Sequence, residues 1–290
     1  GKLFGLSRDQ LSHCISMAVV PNNILSQRGA PSMFKSMASG QAGRAGVFAA
    51  LLARAGMEGP HLPFEGKAGW CDHVALHRFS LDTMGGGAIP YKILDTQIKT
   101  RPASGETSAA TLAAEKVAPL RNIDEVKQVT VEVFGYALDI AGSGEHRWNP
   151  DRESADGSIP YCTAVALKDG TVTPRSYNDA HLHDPALRAL MQKIAVVENP
   201  EFTKAFERLP IEHRTRVTVV TQTGERLVGE SGGGEDDLSA PKSDAQIEEK
   251  FRGLAEDMLG ATRVHAILKR LWNLEAAGNV AEIPSAFVLV

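Results

Sequence analysis

Cysteine is scarce in this sequence, and the three present, Cys14, Cys71 and Cys162, lie far apart. A disulfide framework is therefore not expected. Nor is a structural zinc or an iron–sulfur cluster, because both need clustered thiolates such as a C-x-x-C pair. Long apolar runs are also missing, and no stretch of about 18 apolar residues offers a transmembrane helix. The opening residues lack the basic, apolar and small-residue succession of a secretory signal. Neither sign of charge is in excess. A net charge of −4 over 290 residues gives no electrostatic case for nucleic acid or for an anionic membrane as partner. The expectation left by these absences is a cytoplasmic protein in a reducing compartment. Its 43% hydrophobic and 23% charged residues suit a globular chain with a sizeable core, in one large domain or two ordinary ones.

Local patterns set the order of elements. Ser7 and Gln10 have capping-box spacing ahead of Leu11, Cys14, Ile15, Ala18 and Val19, which predicts an amphipathic helix stopping near Pro21. Val47, Leu51, Leu52 and Ala55 continue a second helix, ended by Gly56. Residues 59–70 are rich in Pro and Gly and read as a packed loop, Leu76, Phe79 and Leu81 as a short helical piece, and residues 91–101 as extended. An Ala-rich helix is expected from Thr107, closing at Pro119. Val129, Val131 and Val133 alternate with polar residues, as in a half-buried strand. Leu187, Leu190, Met191 and Ile194 share a helix face, and residues 216–221 and 226–229 form a hairpin. Residues 231–241 read as a flexible acidic linker, followed by two helices marked by Ile247, Phe251, Leu254 and Met258, then Val264, Ile267, Leu268 and Leu271. The fold expected is mixed, helical at both ends (1–94 and 234–290), with an α+β insert over 95–233.

One stretch stands apart. Residues 34–46 place Lys35 among small side chains (Ser36, Ala38, Ser39, Gly40, Ala42, Gly43) with Gln41 and Arg44 close in sequence. It reads as a junction of two helical segments where a ligand or another backbone could approach, or as a stretch with a solvated surface lysine.

Several separated pieces, taken in order, resemble the MmgE/PrpD family of 2-methylcitrate dehydratases, cis-aconitate decarboxylases and relatives. They are the opening 2–7 (KLFGLS), Phe34-Lys35 with 41–46 (QAGRAG), 64–70 (FEGKAGW), 99–103 (KTRPA) and 152–161 (RESADGSIPY). The resemblance implies a mainly α-helical domain built from both ends of the chain and an inserted α+β lid. It implies elimination of water from a tricarboxylate by proton abstraction beside a carboxylate, with no cofactor and no metal. A tri- or dicarboxylate substrate and a homodimer are expected. Sibling activities (decarboxylation of cis-aconitate, epimerisation, isomerisation) and a chain that is inactive by itself are the alternatives. Members carry a further segment ahead of the position of Lys2, holding an Asp/Thr/His cluster and another histidine used in catalysis.

By the same resemblance, Lys35 and Lys99 are the catalytic candidates. Ammonium groups held in a partly dry cleft stabilise the negative charge that builds on a carboxylate as the neighbouring bond breaks. Gln41, Arg44, Ser104, Arg152, Ser158 and Tyr161 are the substrate-binding candidates. Some members have a histidine where Ser104-Gly105 stands here, a departure that bears on substrate identity. Tyr161 either bonds substrate or is a buried tyrosine with its hydroxyl satisfied. His181 and His183 with Asp184 have the spacing of a metal pair, or cap a helix. Gly85-Gly86-Gly87 is not a phosphate loop, because no strand precedes it and no G-K-[ST] follows.

Overall fold

The computed structural model describes residues 1–23, 32–79 and 91–288, without the side chains of residues 36, 92 and 95. The chain divides into two compact units, Gly1–Leu94 and Asp95–Val290. The mixed helix-and-strand content expected from the sequence is present.

In the first unit, α1 (Arg8–Val19) begins at the predicted capping box. The Ser7 hydroxyl accepts from the Gln10 amide at 3.2 Å, and the Gln10 side chain accepts from the Ser7 amide at 3.0 Å. This satisfies two amides that the first helical turn would otherwise leave unpaired. α2 (Ala38–Arg54) packs on α1 through Cys14, Ala49, Ala50 and Ala53, a small core of small side chains. The expected junction within 34–46 is otherwise arranged. A 3₁₀ turn, Met33–Met37, runs straight into α2, so Gly40, Gly43 and Gly46 are helical. A β-carbon at any of the three would meet nothing within 4 Å, so close packing inside the unit does not explain them. Further on, Trp70 meets Phe64 and Phe79 edge to face, which packs the Pro/Gly-rich loop as expected. The helical piece expected at Leu76 and Phe79 is not there: a π turn, Cys71–Ala75, precedes them and is stopped by Leu76 in the left-handed region (φ 60°). Residues 81 and 85–87 lie outside the described residues.

The second unit is built on a four-stranded sheet whose strands lie side by side in the order 194–198, 126–133, 215–221 and 226–231. β1 (Val126–Val133) alternates as predicted, with Val129, Val131 and Val133 buried. A register shift between Val126 and Gln128 returns Val126 to the same buried face. β3 (Thr215–Thr221) and β4 (Arg226–Ser231) form the expected hairpin, antiparallel to each other, with β3 also antiparallel to β1. One strand escapes the sequence pattern. The helix Pro185–Met191 ends early, and Ile194 opens β2 (Ile194–Glu198), which pairs parallel with β1. Ile194 continues the apolar spacing of the helix, but Ala195, Val196 and Val197 gain ladder bonds and packing that a longer helix would forgo.

α3 (Gly105–Glu115) lies on β3 and β4 and packs against the helix Ile159–Asp169, whose residues Ile159 to Leu167 are all buried. α3 approaches β4 so closely that a β-carbon on Gly229 would stand 2.2 Å from the Ala113 carbonyl oxygen and 2.9 Å from Lys116 Cβ. Gly229→Ala is therefore expected to destabilise this unit by about 1–3 kcal/mol through overpacking. Denaturant unfolding of the variant beside the parent checks this, and an unchanged midpoint would contradict it.

Residues 231–241 are not a free linker. Asp237 is 3% exposed. Its carboxylate accepts from the amides of His213 (2.7 Å), Gly233 (2.9 Å) and Ser239 (2.8 Å), and meets His213 Nδ1 at 3.0 Å and the Ser239 hydroxyl at 2.7 Å. Burial by itself pushes this carboxyl up, but the hydrogen bonds outweigh burial and hold it well below the usual carboxylate range. The chain then enters helix Asp244–Leu259 through a second capping box, Ser243 with Gln246, and turns at Gly260 into helix Ala261–Leu271. Residues 234–290 belong with 95–233 in one unit by this division.

Candidate functional site

The second unit holds a cleft of about 990 Å³. It is lined by the segment Lys99 to Ala103, just before α3, and by residues between Gln246 and Leu254 of helix Asp244–Leu259. Leu112 and Glu115 of α3, Asp156, residues 170–174, Glu235, Asp236, Leu238 and Lys242 complete the lining.

The Lys99 segment is held from three directions. Its own ammonium donates to the Ala103 carbonyl at 2.7 Å, which closes a short loop over Pro102. Arg101 forks onto Glu115 of α3 with contacts of 2.5 and 2.7 Å, and hydrogen bonding to Glu115 raises the guanidinium further above its ordinary value. From the core, the Tyr177 hydroxyl donates to the Pro102 carbonyl at 2.8 Å, and burial pushes that phenol far up, so it stays a donor. Arg101 is consumed by Glu115, whereas Lys99 keeps further N–H donors of its ammonium for a ligand.

Lys250 lines the same cleft. Burial, and then the charge of Lys99, push its amine below the ordinary lysine value. Lys242 also lines the cleft, with its ammonium on the Asp237 carbonyl at 3.0 Å. The acids differ in what they can do. Glu115 is taken by Arg101 and Thr171, and Asp236 pairs with Lys116 at 3.1 Å. The cleft thus offers ammonium groups beside the carboxylates of Asp156, Glu235 and Glu249.

Of the catalytic and substrate-binding candidates named from sequence, Lys99 alone lines this cleft. Ser104 adjoins it as the N-cap of α3, its hydroxyl shared with Thr107 at 2.8 Å. Arg152 is exposed on the single turn Arg152–Ala155, away from the cleft lining. Ser158 and Tyr161 are withdrawn as ligand contacts, because both are fully buried. The Ser158 hydroxyl donates to the Arg147 carbonyl and caps helix Ile159–Asp169, and the Tyr161 hydroxyl donates to the Ser176 carbonyl. The run 152–161 therefore builds core, and of it only Asp156 lines the cleft. Lys35, Gln41 and Arg44 belong to the first unit. Lys35 is half-buried in the 3₁₀ turn before α2, and the Gln41 side chain accepts from Arg44 Nε at 3.2 Å.

The H-x-H pair resolves as caps. His181 bonds Asn178, which caps its turn, and stands 3.2 Å from Asp169, while Asp184 caps the helix Pro185–Met191 and pairs with Lys168. Among the described residues no group of three or more His, Cys, Asp or Glu could hold a metal ion. Lys250 escaped the sequence reading, although a signal was present. It lies three residues after Ile247 and four before Leu254, so a lysine occupies the stripe that the apolar spacing marks as inward-facing.

The second unit is thus an α+β body whose cleft is lined by both lysines and acids. The family model described as the MmgE/PrpD C-terminal domain matches residues 102–274, and that of the MmgE/PrpD N-terminal domain matches residues 1–81. The chain belongs to the MmgE/PrpD family. It is 26% identical to the cis-aconitate decarboxylase of Homo sapiens over 291 residues, covering 94% of this chain and 56% of that protein. It is 28% identical to the 2-methylcitrate dehydratase of Salmonella typhimurium over 211 residues, covering 70% of this chain and 43% of that protein. A 2-methylcitrate dehydratase of Cupriavidus necator is 29% identical over 218 residues, 71% of this chain and 44% of that protein. The chain thus spans about half the length of the curated relatives it matches. These relatives are lyase-type enzymes, dehydratases and decarboxylases.

Proposed function

We propose that this chain forms part of a carbon–oxygen lyase of the 2-methylcitrate dehydratase type, which removes water from a tricarboxylate by abstracting a proton beside a carboxylate, without a metal ion. The observation that carries this reading is the position of Lys99. Its ammonium is fixed on the Ala103 carbonyl in a cleft lined by further lysines, in a chain whose relatives act on small organic acids. As the C–H bond breaks, charge accumulates on the adjoining carboxylate. An ammonium already oriented by the protein stabilises that charge without reorganising. Tyr177 and the Arg101–Glu115 pair act as positioning residues, since they hold the loop that carries Lys99.

A second reading is favoured by the extent of the matches: the human decarboxylase aligns over 94% of this chain, the Salmonella dehydratase over 70%. In that reading the same ammonium stabilises the carbanion left as carbon dioxide departs from cis-aconitate. Assay with each acid separates the two. Water loss from 2-methylcitrate supports the first, carbon dioxide release from cis-aconitate the second, and a chain that turns over neither refutes both for this polypeptide.

A further inference from the structure

Lys250 is the unused charge in this cleft. Among the described residues no carboxylate pairs with it and no hydrogen bond takes up its ammonium, and the charge that lowers its amine, that of Lys99, has the same sign. Of the neighbouring acids, Glu248 is engaged by Arg252, Glu115 by Arg101, and Asp236 by Lys116, while Asp156, Glu235 and Glu249 line the same cleft without an ion pair to Lys250. Lys250 is partly desolvated and feels the like charge of Lys99 from a separate element, and both effects disfavour its ammonium. An anion held between the two lysines removes the repulsion and replaces the lost hydration at once.

We propose that Lys250, with Lys99, forms a two-ammonium clamp for an anion carrying several carboxylates, so that the segment after residue 233 contributes directly to substrate binding. The geometry favours a polycarboxylate over a single phosphate. Lys99 and Lys250 come from separate elements, Lys242 lines the same cleft, and a space of about 990 Å³ admits an anion whose charges are spread apart. Lysines suit this task, being compact point charges with several donors, whereas Arg101 is already spent on one carboxylate in the fork geometry that arginine prefers. The proposal rests on the lyase reading only for its choice of a tricarboxylate as probe.

Titration calorimetry of the 290-residue chain with citrate tests it, using Lys250→Met, Lys250→Arg and, as an off-site control, Lys193→Met. Lys250→Met should weaken citrate about tenfold, equivalent to ~1.4 kcal/mol, and Lys250→Arg should retain most of the affinity. Lys193→Met should bind like the parent, and affinity should fall as sodium chloride rises. Because Lys250 is half-exposed on a helix surface, both of its variants are expected to melt with the parent, and the arginine variant controls for misfolding. Equal affinity of Lys250→Met and the parent, or no citrate binding by the parent, overturns the clamp. Tighter binding of inorganic phosphate that depends on Lys250 overturns the polycarboxylate assignment. Citrate binding through Lys250 without turnover of either acid upholds the clamp and removes the lyase reading. Turnover with citrate affinity indifferent to Lys250 does the reverse.

Discussion

Asp237→Ala is expected to destabilise the second unit by about 3–5 kcal/mol, the usual cost of removing one partner from a buried, charged hydrogen-bond network. The alanine would leave the amides of His213, Gly233 and Ser239, the His213 ring and the Ser239 hydroxyl without the oxygens that now satisfy them. Asp237→Asn should cost less, since it keeps one oxygen but turns an amide N–H toward groups that donate. The charge also gives the effect a pH signature. The folded carboxyl is held below its unfolded value, so its stabilisation is fully present above about pH 4 and is lost as the pH falls from there toward the folded value. Chemical denaturation between neutral pH and pH 3 should show the gap between parent and Asp237→Asn narrowing on acidification. A gap constant across that range would mean that the carboxylate charge contributes nothing. The rim of the cleft depends on the same hub, because Lys242 bonds the Asp237 carbonyl and Asp236 and Leu238 flank it.

Lys99→Met is expected to lower kcat/KM of the active enzyme by about 10²–10³-fold, on the order of 2.7–4 kcal/mol, the range seen when one preorganised electrostatic donor is removed. A substituted methionine keeps the bulk of the stem but gives up both the charge and the bond to the Ala103 carbonyl. Whether kcat or KM carries the loss is informative. A fall in kcat places the ammonium on charge that develops in the transition state, and a rise in KM alone makes it a holder of the ground-state carboxylate. An unaltered rate with either acid would return Lys99 to the solvated surface, where its exposure would otherwise put it.

Much of the local structure was legible in sequence because it is decided by neighbours in the chain. Ser7 with Gln10 caps α1 through atoms three residues apart, and β1 and the β3–β4 hairpin follow from alternating side chains around a short turn. The two helices after residue 243 are likewise carried by their own apolar spacing. The candidate site was legible at Lys99, because KTRPA matches a family pattern, and much less so elsewhere. Tyr161 and Ser158 sit in an equally well-matched run, yet their hydroxyls go to backbone carbonyls inside the core. A motif match reports that a residue type is needed at a position. It does not report whether the need is packing or chemistry.

What the sequence determined by itself was therefore the class of the chain, its family, most of its helices and strands, and one lysine of the cleft. What only the tertiary structure decided were the parallel pairing of β2 with β1, the pinning of residues 231–241 on Asp237, and the meeting of Lys250 with Lys99. Each of these joins residues far apart in the chain, and the free energy that decides them is burial or charge placed there by the fold. Lys250 shows this most clearly. In the sequence it is one of many surface-type lysines, and it becomes a candidate ligand contact only because the fold holds it, partly desolvated, in one cleft with a second ammonium.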